Sequence, residues 1–295
     1  MTKEMPMMPV TTVALIARRP ELSPELFSRY WRDVHGVLAA RIPGFASYVQ
    51  HHLAAPLEGL NLPGFACDVP QGVRFDGFAE VGFSSEENRA GLAQSDVAGM
   101  IHEDEQNAFR ATLLYNLARG AGQTLLDERV PDTGTANDSR CSVVVLLGQH
   151  AAGNDADQDA ETLWPALARH PGVLGIHHYA LASGNPRDWD TPNVAHGDTN
   201  TPAYTAIAIV KARSQAAFVA ALALACARNT APTSAGRPLH VYPVSASYVM
   251  IDRGQPTLLA LRGASAQQTI DVVGARNQCS AAVLEKLYGL APAMR

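Results

Sequence analysis

Between positions 30 and 52 the chain gathers Tyr30, Trp31, His35, Tyr48, Gln50, His51 and His52, and Asp76 and Glu80 follow on the next apolar stretch. Imidazoles and carboxylates trade protons near neutral pH once they are partly withdrawn from water, so this group could do general acid–base chemistry. Each member also has a plainer reading. His35 at a helix edge fits a structural hydrogen-bonding histidine, and a tyrosine in a strand most often packs. His102, within His-Glu-Asp-Glu-Gln, fits a solvated acidic helix face, and His196 fits a surface loop.

The elements that would position these groups can be read from periodicity. Residues 10–18 are β-branched and apolar, as a first strand should be. Ser23-Pro24-Glu25 supplies a cap, a proline at the first helical position and an acidic first turn. On a 3.6-residue wheel Phe27, Trp31, Val34 and Leu38 share one face, with His35 semi-buried at its edge. Pro43-Gly44 ends the helix and opens a strand at 45–53. An insertion loop (55–73), a strand (74–83), helical character to about 118 and a strand (123–129) complete a β-α-β-β-α-β order.

After a polar linker the order restarts. Strands are expected at 141–149, 173–181, 204–211 and 239–251, with helices at 158–169 and 214–228. The tail, 253–295, reads as a strand at Thr257–Leu261 followed by helix, and has no counterpart in the first half. The restart is marked by a repeat. Arg41-Ile42-Pro43-Gly44 recurs as Arg169-His170-Pro171-Gly172, 128 residues later, while His35 falls opposite Leu163. The second half thus keeps the turn and lacks the chemistry, which predicts one site per chain.

This order gives an α+β fold of two ferredoxin-like βαββαβ domains, 1–130 and 141–252, joined by a linker at 131–140 and followed by a β-α extension at 253–295. An antiparallel sheet with helices on one face must cover the other. Packing the two sheets face to face as an intramolecular α/β barrel would do so and leave a central cavity. Strand alternation then sends Tyr48, Gln50 and His52 into that cavity together with Asp76, Phe78 and Glu80.

Composition narrows the partners. The chain has 295 residues, net charge −5, and no cluster of Lys or Arg, which argues against nucleic acid and anionic membranes. No apolar run is long enough to cross a bilayer, and the start has no apolar leader segment, so a cytoplasmic protein is expected. Cys67, Cys141, Cys226 and Cys279 are scattered and read as buried thiols. There is no GxGxxG, GxxxxGK[ST] or GxSxG, and neighbouring His-His pairs on a strand point oppositely, so no metal site is expected.

Four stretches resemble the EthD family of the dimeric α/β-barrel superfamily. They are Phe27-x-x-Tyr30-Trp31-x-x-Val34-His35-Gly36-x-Leu38, Pro43-Gly44-Phe45-x-x-Tyr48-Val49-Gln50, and Phe75–Phe83 with Glu103-Asp104-Glu105-x-Asn107-x-Phe109. The resemblance covers about residues 9–130. It implies a ferredoxin-like unit that pairs sheet to sheet, and a cofactor-independent lyase, isomerase or cyclase acting on a small apolar, aromatic or polyketide-like molecule. On this reading His35 is the acid or base, Tyr48, His52 and Glu80 assist it, and Tyr30, Trp31, Gln50, Asp76, Phe78 and His178 line the substrate. A haem-dependent or cofactor-free oxygenase or dehydratase, and a non-catalytic binding protein, are the alternatives. No cofactor is expected, and a homodimer is left open.

Overall fold

The computed structural model describes residues 10–118, 120–127, 140–149, 156–181, 189–197, 201–227 and 236–289. Residues 131–139 of the expected linker lie outside them. Among the described residues no helix is long and apolar enough to cross a membrane.

The chain is α+β, built on one large, mostly antiparallel sheet. The first half gives β1 (Val10–Arg18), helix α1 (Pro24–Tyr30) continuing through a π turn (Trp31–His35) into α2 (Gly36–Ala39), β2 (Phe45–Leu53), the short β3 (Phe65–Ala66), β4 (Gly77–Phe83), α3 (Glu86–Ala90), α4 (Ala98–Ala108) and β5 (Phe109–Asn116). The second gives β6 (Gly122–Asp127), β7 (Cys141–Gly148), α5 (Ala156–Ala168), β8 (Val173–Ala180), β9 (Tyr204–Ala212), α6 (Gln215–Ala227) and β10 (Arg237–Asp252). The tail adds β11 (Gln255–Pro256), α7 (Leu258–Arg262), α8 (Ala264–Val273) and α9 (Ala281–Tyr288).

The strand order is β5-β1-β4-β2-β10-β7-β9-β8-β6, with β3 and β11 also paired to β10. It reads the same from both ends once β10 is split. The early part of β10 pairs β7 as β5 pairs β1, and its later part pairs β2 as β6 pairs β8. Pro43-Gly44 and Pro171-Gly172 stand immediately before the corresponding strands β2 and β8. The halves are therefore joined edge to edge through one long strand, rather than being two separate sheets laid face to face.

The sheet also curls back on itself. Four strands separate β4 from β8 in the order, yet the Tyr179 hydroxyl donates to Glu80. Between them lies a shared apolar cluster with Val13, Leu15 and Phe78 from the first half and Val144, Ile207 and Tyr242 from the second. Two further clusters lie on the helix sides of the sheet, one built mainly from the first half with Trp189 and Val194 added, the other mainly from the second with Leu62 and Cys67 added.

Several local expectations change. Residues 109–116 are strand, not the end of a helix, because Phe109 turns to an extended backbone at the end of α4 and joins β1. The expected strand at Thr257–Leu261 is helix α7, which Thr257 caps by accepting from the Ala260 N–H at 3.3 Å. The tail packs on the first half: Leu259 and Ala260 join its helix-side cluster, and Asp33 accepts from the Ala264 N–H at 3.2 Å. Cys279 is exposed, unlike the buried Cys67 and Cys226.

Candidate functional site

Ser23 accepts from the Leu26 N–H at 3.2 Å and Pro24 opens the helix, so α1 starts where the sequence places it. The π turn then changes its phase. At its end the Gly36 N–H bonds to Trp31 O, five residues back, instead of four. One residue is absorbed, and the inward face becomes Phe27, Trp31, His35 and Ala39, while Val34 is 47% exposed. His35, expected at the edge of the stripe, is only 5% exposed.

Helix α4 faces it. Arg19 holds the end of α4, donating to Gln106 O at 3.0 Å from its guanidinium and to Ala108 O at 2.9 Å from its backbone. Asp104 of this helix lies 2.9 Å from His35 Nδ1, and its other oxygen accepts the Tyr30 hydroxyl at 2.5 Å. Burial would raise the Asp104 carboxyl, but the hydrogen bonds from His35 and Tyr30 prevail and hold it below the usual range. An ionised Asp104 accepts a hydrogen bond from Nδ1–H, so Nε2 is the imidazole nitrogen left to accept a proton.

His35 lines a cavity of about 90 Å³ between the helices and the sheet. The wall is mostly apolar, with Trp31, Ile42, Phe45, Phe83, Phe109 and Trp189 among its larger members. Glu105, one residue after Asp104, also lines it and is 6% exposed. Both of its oxygens lie 3.0 Å from Trp189 Nε1, and Thr191 Oγ1 donates to one of them. Burial pushes the Glu105 carboxyl up, against these bonds and nearby His35. Thr112 Oγ1, on the same wall, is buried without a hydrogen-bond partner.

The expected residues divide among different places. His35, Trp31 and Tyr48 meet in the helix-side cavity, and Tyr30 reaches it through Asp104. Burial pushes the Tyr48 hydroxyl far up, and it accepts from Gln50 Nε2 at 2.8 Å. Gln50 and His52 are fully buried behind this wall. His52 Nδ1 lies 2.7 Å from Ser28 Oγ, and its ring packs on Trp31 at 4.6 Å. Burial, helped by the Arg32 charge, lowers His52 to about 3.

Tyr48, expected to look into a cavity between the two sheets, instead faces the helices together with Phe45. A bulge between Phe45 and Ser47 adds one residue to β2 and shifts the parity. The same face carries His52, while His51, Phe78 and Glu80 lie on the other side of the sheet. There His51 Nε2 is 2.5 Å from Glu80 and its ring stacks on Phe78. Glu80 and Phe78 are therefore separated from His35 by the sheet itself. Asp76 is an ion-pair partner of Arg18 at 3.1 Å, and His178 lines a different cavity, beside α5 and β6.

Three groups of this site were not singled out from sequence. Asp104 and Glu105 sit in an acidic run that reads as solvated, and Trp189 lies 84 residues from Glu105 in the other half. Trp189 also packs on His102 with ring centres 4.2 Å apart, so that histidine is not on an open face. His196, as expected, is a loop residue, paired with Asp190 at 3.1 Å.

Residues 19–109, which contain this helix pair and most of the cavity wall, match the model of the EthD domain. A search of curated proteins found no match to the chain.

Among solved structures, an anthrone oxidase-like protein is 12% identical with a TM-score of 0.47, covering 82% of this chain and 93% of its own. A candidate monooxygenase from Fusobacterium nucleatum subsp. nucleatum is 8% identical with a TM-score of 0.47, covering 86% of this chain and 100% of its own. At such scores the chemistry has to be read from this chain's own residues. The stretch that matches the EthD model contributes His35, Asp104 and Glu105, and the second half contributes Trp189 and Thr191.

Proposed function

We propose that the helix-side cavity is the active site of an acid–base enzyme that needs no cofactor for its proton transfers. Its substrate is a small apolar molecule, aromatic or polyketide-like, carrying a carbonyl or phenol oxygen. The observation that carries this reading is the contrast between Asp104 and Glu105. Neighbours in one helix, they have carboxyls displaced in opposite directions, one serving His35 and the other facing the apolar cavity. Titratable groups pushed apart by their surroundings mark acid and base roles.

In the first step His35 Nε2 accepts a proton from an activated carbon or hydroxyl of the substrate, and Asp104 stabilises the resulting imidazolium. Glu105, protonated, donates to the substrate oxygen where negative charge develops. The resulting enolate or phenolate can rearrange, cyclise or meet dioxygen. Isomerase, cyclase, lyase and cofactor-free oxygenase outcomes share this step, and the bound molecule decides among them. The apolar wall from Trp31, Phe45 and Phe109 fits an aromatic body, and the orphaned Thr112 hydroxyl supplies a polar contact. The two halves, residues 1–130 and 141–252, would close around each other as an intramolecular barrel, so that one chain is complete with one site.

Mass-spectrometric identification of a molecule retained by the purified protein, followed by turnover of that molecule, tests the reading. We expect His35→Gln to lower kcat by about 10²-fold or more while the fold survives. Unaltered binding with no turnover in the wild type would instead make the chain a binding protein.

A further inference from the structure

On the other side of the sheet from this cavity, three side chains stand in series. Ser247 of β10 and His51 of β2 are directly opposite each other across the strand pair, and Ser247 Oγ lies 2.8 Å from His51 Nδ1. His51 Nε2 lies 2.5 Å from Glu80 on β4. The second Glu80 oxygen accepts the Tyr179 hydroxyl from β8. We propose that Ser247, His51 and Glu80 form a second reactive centre, in which Ser247 is a nucleophile toward small activated acyl and phosphoryl compounds.

The proton order follows from the partners. Glu80 is mostly buried, and burial alone would raise its carboxyl, but His51 and Tyr179 bond to it and hold it below the usual range. An ionised Glu80 accepts a hydrogen bond from the Nε2–H of His51. Nδ1 is then an acceptor, and the Ser247 hydroxyl can only donate to it. A serine donating to an imidazole whose other nitrogen is anchored by a carboxylate has the nucleophile, base and orienting group of acyl-transfer catalysis.

Exposure is distributed as that chemistry requires. Ser247 is exposed to solvent, whereas His51 is buried. Val249, two residues along the same strand face, is 46% exposed beside its cross-strand neighbour Val49 and offers a short apolar strip for an alkyl group. Register shifts in β10 fall on either side of the regularly paired stretch Ala246–Val249, which holds the serine opposite His51.

With an ester, Ser247 Oγ bonds to the carbonyl carbon as its proton passes to His51 Nδ1. The alkoxide leaves with that proton, and water, deprotonated by His51, releases the acid. With an alkyl fluorophosphonate, the Oγ–P bond forms, the P–F bond breaks and fluoride leaves, so the adduct persists.

The test uses the full chain and an alkyl fluorophosphonate, with the adduct located by peptide mass spectrometry. We expect an adduct on Ser247, none in Ser247→Ala, labelling about 10²-fold slower in His51→Gln, and a marked slowing in Glu80→Gln. Circular dichroism establishes that each variant is folded. An unlabelled Ser247 in the wild type, or an unchanged labelling rate in folded His51→Gln or Glu80→Gln, would overturn the proposal and leave the three groups as a structural hydrogen-bond chain.

Discussion

The indole Nε1 of Trp189 lies 3.0 Å from both carboxyl oxygens of Glu105, joining a loop of the second half to the cavity of the first. This contact orients the one carboxyl that faces the apolar wall. It also makes the cavity a product of both halves, although His35, Asp104 and Glu105 all come from the first.

Removing the indole donor should loosen that arrangement without emptying the cavity. Trp189→Phe keeps most of the packing and leaves Glu105 with Thr191 alone. The expected cost is about 1–3 kcal/mol, the range for a buried polar group that loses a partner, read from urea unfolding. A variant as stable as the wild type would show that the contact contributes nothing net.

Glu105 also predicts a pH dependence of stability. Its folded-state carboxyl is raised above its ordinary value, so between those two values the folded chain binds more protons than the unfolded one. This contribution is fully present below the unfolded value and is lost as pH rises through the folded one. Glu105→Gln should abolish that part of the decline in melting temperature. A wild-type and variant difference that stays flat across the acidic range would refute a raised carboxyl.

His52 acts in the opposite sense. Burial lowers it to about 3 from an ordinary 6.5, so it is neutral when folded and must gain a proton on unfolding in acid. Its stabilising contribution is present above about 6.5 and is lost as pH falls toward the depressed value. In NMR spectra its ring signals should show no titration from about pH 8 down to about pH 4, unlike an exposed imidazole. A midpoint near neutrality would contradict the burial of this ring behind Trp31.

The wall itself can be stressed at Gly77. A methyl group there would lie 2.7 Å from the Trp31 ring, which is fully buried and cannot retreat into solvent. Gly77→Ala should cost about 1–3 kcal/mol by overpacking, measured by denaturant titration. A neutral effect would mean that Trp31 has room to move.

The architecture was legible in the sequence where the signals were local. Ser23-Pro24 starts a helix, and the repeated Pro-Gly turns at 43–44 and 171–172 open equivalent strands. Alternation failed at two one-residue insertions. The π turn at Trp31–His35 carried His35 inward, and the bulge after Phe45 moved Tyr48 to the helix side and left Glu80 on the other. Gly36 closes the π turn and Pro43-Gly44 precedes the bulge, but such residues mark a turn and do not specify a one-residue insertion. Glu105 escaped notice for a different reason: its environment is made by Trp189 and Thr191, far off in sequence, and the surrounding acidic residues suggest water.

The central claim is that His35, oriented by Asp104, removes a proton from a carbon or oxygen acid bound in the helix-side cavity. Deuterium exchange at the carbon next to the carbonyl of a panel of aromatic ketones, followed by proton NMR in D2O, measures that step directly. The account predicts exchange catalysed by the wild type and slowed by about 10²-fold or more in folded His35→Gln. Exchange that proceeds equally fast in that variant would contradict it.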